Sequence, residues 1–203
     1  SSFQGWYGSA LRHRLPLLRP DPTRRPFYIP QADSLPTRRP MKALFHTPLG
    51  PILLQATPFG LQSARLLQPT DPLPALSEEA SRSPVLCQAM DWLSAYFGHK
   101  ALPPQPKLLP QGTAYSRHVW AALRAVPYGQ TVTYGQLARL LQPASSPRAV
   151  GQAVGRNPLL LFVPCHRVTA VQGLGGFAYG VEAKRWLLRW EQEALGPEQL
   201  TSH

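Results

Sequence analysis

Proline sets the outer limits of what this chain can fold into. Seven of its 24 prolines fall in residues 1–40 (Pro16, Pro20, Pro22, Pro26, Pro30, Pro36 and Pro40), and four more (Pro103, Pro104, Pro106 and Pro110) crowd 102–110. Proline fixes φ and removes a backbone donor, so this density blocks helices and central strands alike. Two stretches remain for regular structure, 41–100 and 112–195, joined by a linker at 101–111 and followed by a short tail at 196–203. Residues 1–40 show no sustained period of 2 or 3.6. They read as a basic tail, disordered or foreign to the working protein, with folding expected to begin near Met41. They lack the continuous apolar region of a secretory signal peptide.

From Met41 the pattern is α/β. Ala43–Thr47 and Pro51–Thr57 are apolar runs split by Pro48-Leu49-Gly50, a hairpin-type turn, and Gly60–Leu67 is a third strand candidate. Pro69–Pro74 reads as a loop. Ser83–Tyr96 reads as a helix, because Leu86, Ala89, Met90, Leu93 and Phe97 recur at spacings of three and four. Cys87 on that helix has no His, Lys or second Cys close in sequence, so a buried structural thiol is expected there.

The second stretch reads as helical. Thr113 caps a helix with the apolar stripe Tyr115, Val119, Ala122 and Leu123. Thr133, followed three residues later by Gln136, is a capping box that starts a short helix over Tyr134–Leu141. Ser146 caps a second short helix, Pro147–Gly155, with proline at its first position. Two short helices across a tight turn form a helix-turn-helix candidate. The second is unusually small-sided. Gly151 and Gly155 each cost about 1 kcal/mol against Ala in a helix. Either close packing on a neighbouring helix or close approach of the backbone to a groove wall would compensate, with Arg148 as the long reaching side chain.

Charge points the same way. The chain carries +11, from 21 Lys+Arg against 10 Asp+Glu. Residues 1–40 carry seven Arg and two Asp, residues 41–100 four bases and four acids, and residues 101–203 ten bases and four acids. Between Asp91 and Glu182 there is no acid at all. A globular stretch that long and that basic suits a polyanion-facing surface. No apolar run approaches the roughly 20 residues of a membrane span. Two cysteines rule out a disulfide framework and leave no CxxC for zinc.

The chemistry lies in 160–168. Leu159–Val163 is expected to be a buried strand that delivers Pro164-Cys165-His166-Arg167-Val168. The thiolate is the reactive form of cysteine. His166 beside Cys165, Arg167 beyond it and no acid nearby in sequence favour that ion. Neighbouring side chains on a strand face opposite ways, so a bridging water or a kink at Pro164 is needed for the pair to cooperate. A third group should orient the imidazole. Of the acids in this domain, Glu182, Glu191, Glu193 and Glu198, the choice falls on Glu191, at the end of an amphipathic helix with Trp186, Leu187 and Trp190.

These segments, in order, resemble the O6-alkylguanine-DNA alkyltransferases, the direct-reversal DNA repair proteins. The matching residues are Val119-Trp120, Val126-Pro127-Tyr128-Gly129, Thr133 to Ala138, Arg148-Ala149-Val150-Gly151, Asn157-Pro158, Pro164 to Val168, and Lys184 with Trp186-Leu187-Leu188 and Glu191. Met41–Phe97, with its Thr-Pro-Leu-Gly-Pro start, is similar to the family's N-terminal domain. The resemblance implies a ribonuclease H-like α/β domain followed by a mainly α domain with a winged-helix-like helix-turn-helix.

It also implies roles. The family flips the damaged guanine out of the duplex and docks its helix-turn-helix in the minor groove, which places Arg148, Ala149, Gly151, Tyr134, Thr133 and Gln136 on DNA. Arg148 matches the arginine that fills the gap in the base stack, and Tyr134 the tyrosine that turns the nucleotide out. Cys165 matches the alkyl-accepting thiolate, His166 the water-mediated base, Glu191 its orienting carboxylate, and Asn157 the asparagine bracing the turn before the active site. The carbonyls of Cys165 and Val168 match those that read the guanine amino group. The N–H of Ala178 matches the donor to O6, and Lys184 a lysine near the pocket.

Phe177 stands where the family usually has Tyr, and Ala178-Tyr179-Gly180 puts bulk where many relatives have Gly. The expected reaction is stoichiometric alkyl transfer without a cofactor or metal. The expected partner is double-stranded DNA bearing O6-alkylguanine, bound by a monomer in an intracellular, reducing compartment (bacterial cytoplasm or eukaryotic nucleus). A non-catalytic lesion-binding protein and a cysteine hydrolase are the alternatives. Cys165 speaks against the first, and the small-sided helix-turn-helix against the second.

Overall fold

The structure, a computed structural model, describes residues 39–196; the expected tail at 1–40 lies almost wholly outside them, as do residues 197–203. The chain begins with a three-stranded antiparallel meander: β1 (Met41–Thr47), β2 (Gly50–Thr57) and β3 (Gly60–Leu66), in the order β1-β2-β3. The turn at Pro48-Leu49 pairs Thr47 with Gly50, and the Thr47 hydroxyl ties it by donating to Gly50 O at 2.7 Å. Helix α1 (Pro84–Phe97) packs on the sheet, with Ser83 as its cap and Pro84 at its first turn. Its buried face is Leu86, Ala89, Trp92, Leu93, Ala95 and Tyr96. That face differs from the sequence reading. Trp92 and Tyr96 point inward, while Met90 and Phe97 are half-buried at the margin. Cys87 is also half-buried, its thiol donating to Ser81 O at 3.3 Å, so it is not the enclosed thiol expected.

The remainder is helical: α2 (Ala114–Leu123), α3 (Tyr134–Leu140), α4 (Pro147–Gly155) and α5 (Val181–Leu195), with β4 (Val132–Thr133) paired in parallel to β5 (Val168–Thr169). The capping box at Thr133 and Gln136 forms in both directions, and Ser146 Oγ accepts from Ala149 N at 3.1 Å. Packing of α4 on α2 and α3 runs through Val150, Ala153 and Val154. Trp120, missing from the expected α2 stripe, is buried and donates Nε1–H to Ala153 O at 2.8 Å. Tyr115, expected in that stripe, is exposed.

One core runs through both regions, and the outer edge of β3 joins them. Leu61 N donates to Lys107 O at 2.8 Å and Leu109 N to Leu61 O at 2.7 Å. Further along, Ala64 N donates to Pro158 O at 2.8 Å and Leu160 N to Ala64 O at 3.0 Å. A free edge of unpaired amides is thereby covered. A Cβ at Gly60 would come within 2.7 Å of both Lys107 O and Leu109 Cγ, so only glycine lets the linker approach this closely. The 101–111 segment is thus part of the packed body as well as a connection, with Leu108 and Leu109 buried.

Leu159–Val163 is not the expected strand. Val163 N reaches back to Leu159 O at 2.9 Å, Leu160 bridges Val163, and Leu161 adopts φ +70°. A short apolar run buried on all sides carries no periodicity that separates a strand from a compact turn. Here Asn157 decides: its Oδ1 accepts from Leu159 N at 2.9 Å and its Nδ2 donates to Val163 O at 2.8 Å, closing the turn.

Leu109→Ala should destabilise the protein by about 2–5 kcal/mol, the range for truncating a buried leucine. Equilibrium urea unfolding measures this. A loss within about 0.5 kcal/mol, as for an exposed linker residue, would contradict the packing described.

Candidate active site

The turn that Asn157 closes hands the chain to Pro164 and a single 3₁₀ turn, Cys165–Arg167. Cys165 N donates to Val163 O at 2.8 Å and Arg167 N to Pro164 O at 3.0 Å. Cys165 and His166 therefore do not lie on a strand, and the alternation of faces expected of one does not apply. Cys165 is buried and lines a cavity of about 190 Å³. Tyr134, Gly151, Gly155, Asn157, Phe177, Ala178 and Tyr179 are also in its wall. The structure thus gathers the expected residues Cys165, Asn157, Tyr134, Gly151, Phe177 and Ala178 around one cavity.

The small side of α4 now has a reason. A Cβ at Gly155 would meet nothing within 4 Å, and one at Gly151 only the Tyr134 ring, at an ordinary 3.7 Å. Packing against a neighbouring helix does not require either glycine; both keep the cavity open. Across it, Gly175 has φ +72° and presses on Tyr134, where a Cβ would lie 3.1 Å from the ring. Tyr134 thus stands in a slot between α4 and the 173–180 loop. Arg148 is exposed in the first turn of α4, with Ala149 half-buried beside it. Thr133 and Gln136, expected on DNA, commit their side-chain oxygens to the capping box.

Behind Cys165 lies a fully buried carboxylate. Glu191 Oε1 meets His166 Nε2 at 2.6 Å and accepts from Arg167 Nη2 at 2.9 Å and the Tyr96 hydroxyl at 2.8 Å. Its Oε2 accepts from Arg167 Nε at 2.9 Å and Gly129 N at 2.9 Å. Burial alone would push the Glu191 carboxyl up, but His166 and Arg167 outweigh it and hold the group well below the usual carboxylate range. An ionised carboxylate only accepts, so His166 Nε2 carries the proton and Nδ1 is the basic nitrogen. Among the described residues, His166 Nδ1 is the buried side-chain polar atom without a hydrogen-bond partner. Burial lowers the pKa of His166, against the pull of Glu191.

Arg167 does not serve the thiol as its place in sequence suggested. It pairs with Glu191, donates to Val126 O at 2.8 Å and lies 5.4 Å from the centre of the Tyr128 ring. The cation acting on Cys165 is Lys184. Burial pushes the Cys165 thiol up, while the Asn157 side chain, Lys184 and the N–H groups of Cys165 and His166 pull it down without overcoming burial. Lys184 is itself fully buried on α5, donating to Val168 O at 2.5 Å and Gly176 O at 3.0 Å. Burial takes its pKa down to about 8. It thereby fastens β5 to the 173–180 loop, and the Val168 carbonyl, expected to read a guanine, already holds this ammonium. From the sequence neither Tyr96 nor Gly129 has a role in the site, although Gly129 lies in the matching segment Val126-Pro127-Tyr128-Gly129. The helical phase of Leu86, Ala89 and Leu93 carries a signal for Tyr96, but nothing there marks a glycine amide.

The family model of the 6-O-methylguanine DNA methyltransferase DNA-binding domain matches residues 114–193. A methylated-DNA–protein-cysteine methyltransferase of Methanosarcina acetivorans is 37% identical over 150 residues, which are 73% of this chain and 96% of that protein. The chain belongs to the methylated-DNA–protein-cysteine methyltransferase family. The namesake of Mycobacterium tuberculosis is 35% identical over 156 residues, 76% of this chain and 93% of that one. The crystal structure of the Mycobacterium tuberculosis O6-methylguanine methyltransferase superposes with a TM-score of 0.66 at 34% identity, over 80% of this chain and 98% of that chain. That of Mycobacterium tuberculosis OGT in complex with DNA gives 0.63 at 34% identity, over 78% and 96%.

As a member, this chain is a DNA-binding repair protein that moves methyl groups from DNA to cysteine. The family architecture, a sheet domain ahead of a helical domain, is the one described above. Among the described residues, no three His, Cys, Asp or Glu side chains are grouped to hold a metal. No helix among them is long and apolar enough to cross a membrane.

The Glu191 carboxyl lies below its unfolded value of about 4.3, so its contribution to stability is present above that pH and is lost as pH falls through about 4 and below. Glu191→Gln leaves Arg167 buried and uncompensated, and should cost about 3–5 kcal/mol at pH 7 while flattening the acid limb. Urea unfolding from pH 7 to pH 3 reads both; equal acid dependence in the two proteins would contradict the arrangement.

Proposed function

We propose that the chain reverses O6-alkylguanine lesions in double-stranded DNA by turning the base out of the duplex into the Cys165 cavity and taking its alkyl group onto Sγ in one irreversible transfer. The observation that carries this reading is the placement of Cys165. It opens onto a cavity bounded by the small-sided helix of a helix-turn-helix, with a buried histidine–carboxylate pair behind it. Chemistry on a base atom requires extrusion from the stack, and Gly151 and Gly155 leave the entrance clear.

In the reaction, the Cys165 proton passes through a water to His166 Nδ1. The thiolate attacks the alkyl carbon, and a C–S bond forms as the carbon–O6 bond breaks. The electron pair leaves on O6, and the guanine takes up a proton. Donors around the departing base, the Tyr134 hydroxyl and the Ala178 N–H, stabilise its developing charge. The thioether does not revert, so each molecule acts once and needs no cofactor. Carbonyl oxygens have two lone pairs, so Val168 O can hold Lys184 and still accept from a guanine amino group. Phe177 supplies a ring wall without a hydroxyl.

The same reading makes α3, the turn and α4 a winged-helix-like element that docks in the minor groove, where a helix stripped of bulk fits. Arg148 enters the stack in place of the extruded base. The meander crossed by α1 is then a ribonuclease H-like unit. Such a protein works as a monomer in a reducing, intracellular compartment, where a free thiol stays available.

Incubation with methylated duplex DNA and intact mass analysis tests this. Cys165→Ser should abolish methyl gain while retaining DNA binding; methyl gain by that variant would refute the assignment. Wild-type protein that binds the lesion tightly without gaining mass would instead mark a lesion-binding protein. Arg148→Ala should weaken lesion capture by about tenfold, equivalent to about 1.4 kcal/mol, while its reaction with free O6-methylguanine stays near wild type. Equal loss of both would contradict the stack-filling role.

A further inference from the structure

One buried titratable side chain reaches the reacting groups from the sheet domain. Tyr96, on the last turn of α1, is 1% exposed and donates its hydroxyl to the carboxylate oxygen of Glu191 that also meets His166. The ring is fixed on several sides. It stacks on Trp92 at 5.5 Å and meets Phe97 and Tyr128 edge-on at 5.1 and 5.7 Å. Its carbonyl accepts from Trp190 Nε1 at 3.1 Å. Phenylalanine would satisfy every one of those ring contacts. The hydroxyl adds only a polar group that has to be desolvated, and its acceptor is the orienting carboxylate.

The charged and titratable groups around this centre come from every element packed on it. Tyr96 comes from α1, Tyr128 from the turn after α2, Cys165, His166 and Arg167 from the 3₁₀ turn, and Lys184 and Glu191 from α5. Arg167 and Gly129 N bind both Glu191 oxygens or the far one, whereas Tyr96 binds only the oxygen shared with His166. It therefore competes directly for the electron density that holds the imidazole proton.

We propose that Tyr96 is a positioning residue for the thiol chemistry, its hydroxyl withdrawing charge from Glu191 Oε1 and so setting the basicity of His166 toward Cys165. This rests on Cys165 and His166 acting as nucleophile and base. Without the hydroxyl, Glu191 pulls harder on His166 Nε2–H, and imidazolium forms more readily. Imidazolium near the thiol favours the thiolate, which then appears at lower pH. The sheet domain thus contributes a tuning group to the site as well as a scaffold.

The test uses the full chain in a Cys87→Ser background, which leaves Cys165 as its sole cysteine. Iodoacetamide is the probe: the thiolate displaces iodide, and intact mass follows the rate across pH. Tyr96→Phe should lower the pH midpoint of Cys165 alkylation by about half a unit or more, a fraction of what one charged hydrogen bond can shift. Superimposable profiles, or a midpoint that rises, would overturn the proposal. Should Tyr96→Phe fail to fold, 3-fluorotyrosine at position 96, a stronger donor, must raise the midpoint; an unchanged midpoint there is equally fatal. Wild-type protein that gains no methyl from methylated duplex, beside a shifted iodoacetamide profile in Tyr96→Phe, would remove the repair reading and keep this one. Normal methyl gain with superimposed profiles would do the reverse.

Discussion

Everything in the site hangs on one buried carboxylate. Glu191 is fully enclosed, and an ionised group there is tolerable only when its lone pairs are met. Three separate parts of the chain meet them, and Glu191 itself stands on a fourth, α5: Tyr96 on α1, Gly129 in the turn after α2, and His166 and Arg167 on the 3₁₀ turn. Removing Arg167 would leave the charge uncompensated, and removing any other partner would leave a lone pair unmet. The arrangement therefore fixes the relative positions of α1, α2, α5 and the nucleophile turn more firmly than apolar contact could. Gln192 strengthens the same junction by donating to Gly129 O. Neutralisation of Glu191 by Arg167 also lets His166 remain an uncharged base with Nδ1 open, which proton removal from a thiol requires.

A second constraint delivers the nucleophile. The outer edge of β3 binds residues 158–160, Asn157 closes the turn that follows, and Cys165 emerges at the cavity floor. The sheet domain carries no net charge and no part of α3 or α4, yet it supports the active turn from below through β3 and from behind through Tyr96. The net positive charge sits elsewhere, divided between residues 1–40 and 101–203, and the acid-free stretch from Asp91 to Glu182 spans α3, α4 and the cavity.

Much of this was legible in the sequence, for identifiable reasons. Caps are local rules, so Thr113, Thr133 and Ser146 mark helix starts that the structure reproduces. Turn residues and apolar runs located the three strands. The pairing of His166 with Glu191 followed from the need for an orienting acid and the small number of acids available. What escaped was non-local. Nothing in Leu159–Val163 distinguishes a buried strand from a turn, because the hydrogen bonds that choose between them come from Asn157 and from β3. On adjacency alone Arg167 reads as a thiolate partner, but the 3₁₀ turn sends it to Glu191 and leaves Lys184, nineteen residues after Cys165, as the cation that acts on the thiol. Tyr96 was masked because a tyrosine on an apolar stripe reads as core, and its hydroxyl acquires meaning only when α5 brings Glu191 alongside.

In the proposed reaction one enclosed thiol takes the alkyl group and keeps it. Titrating a fixed amount of protein with duplex carrying a single O6-methylguanine, and following both protein mass and restored guanine, addresses it most directly. A plateau at one methyl per chain is expected, carried on the peptide that contains Cys165, with an equal amount of guanine restored. Guanine restored in excess of the protein present, or restored while Cys165 stays unmodified, would contradict it.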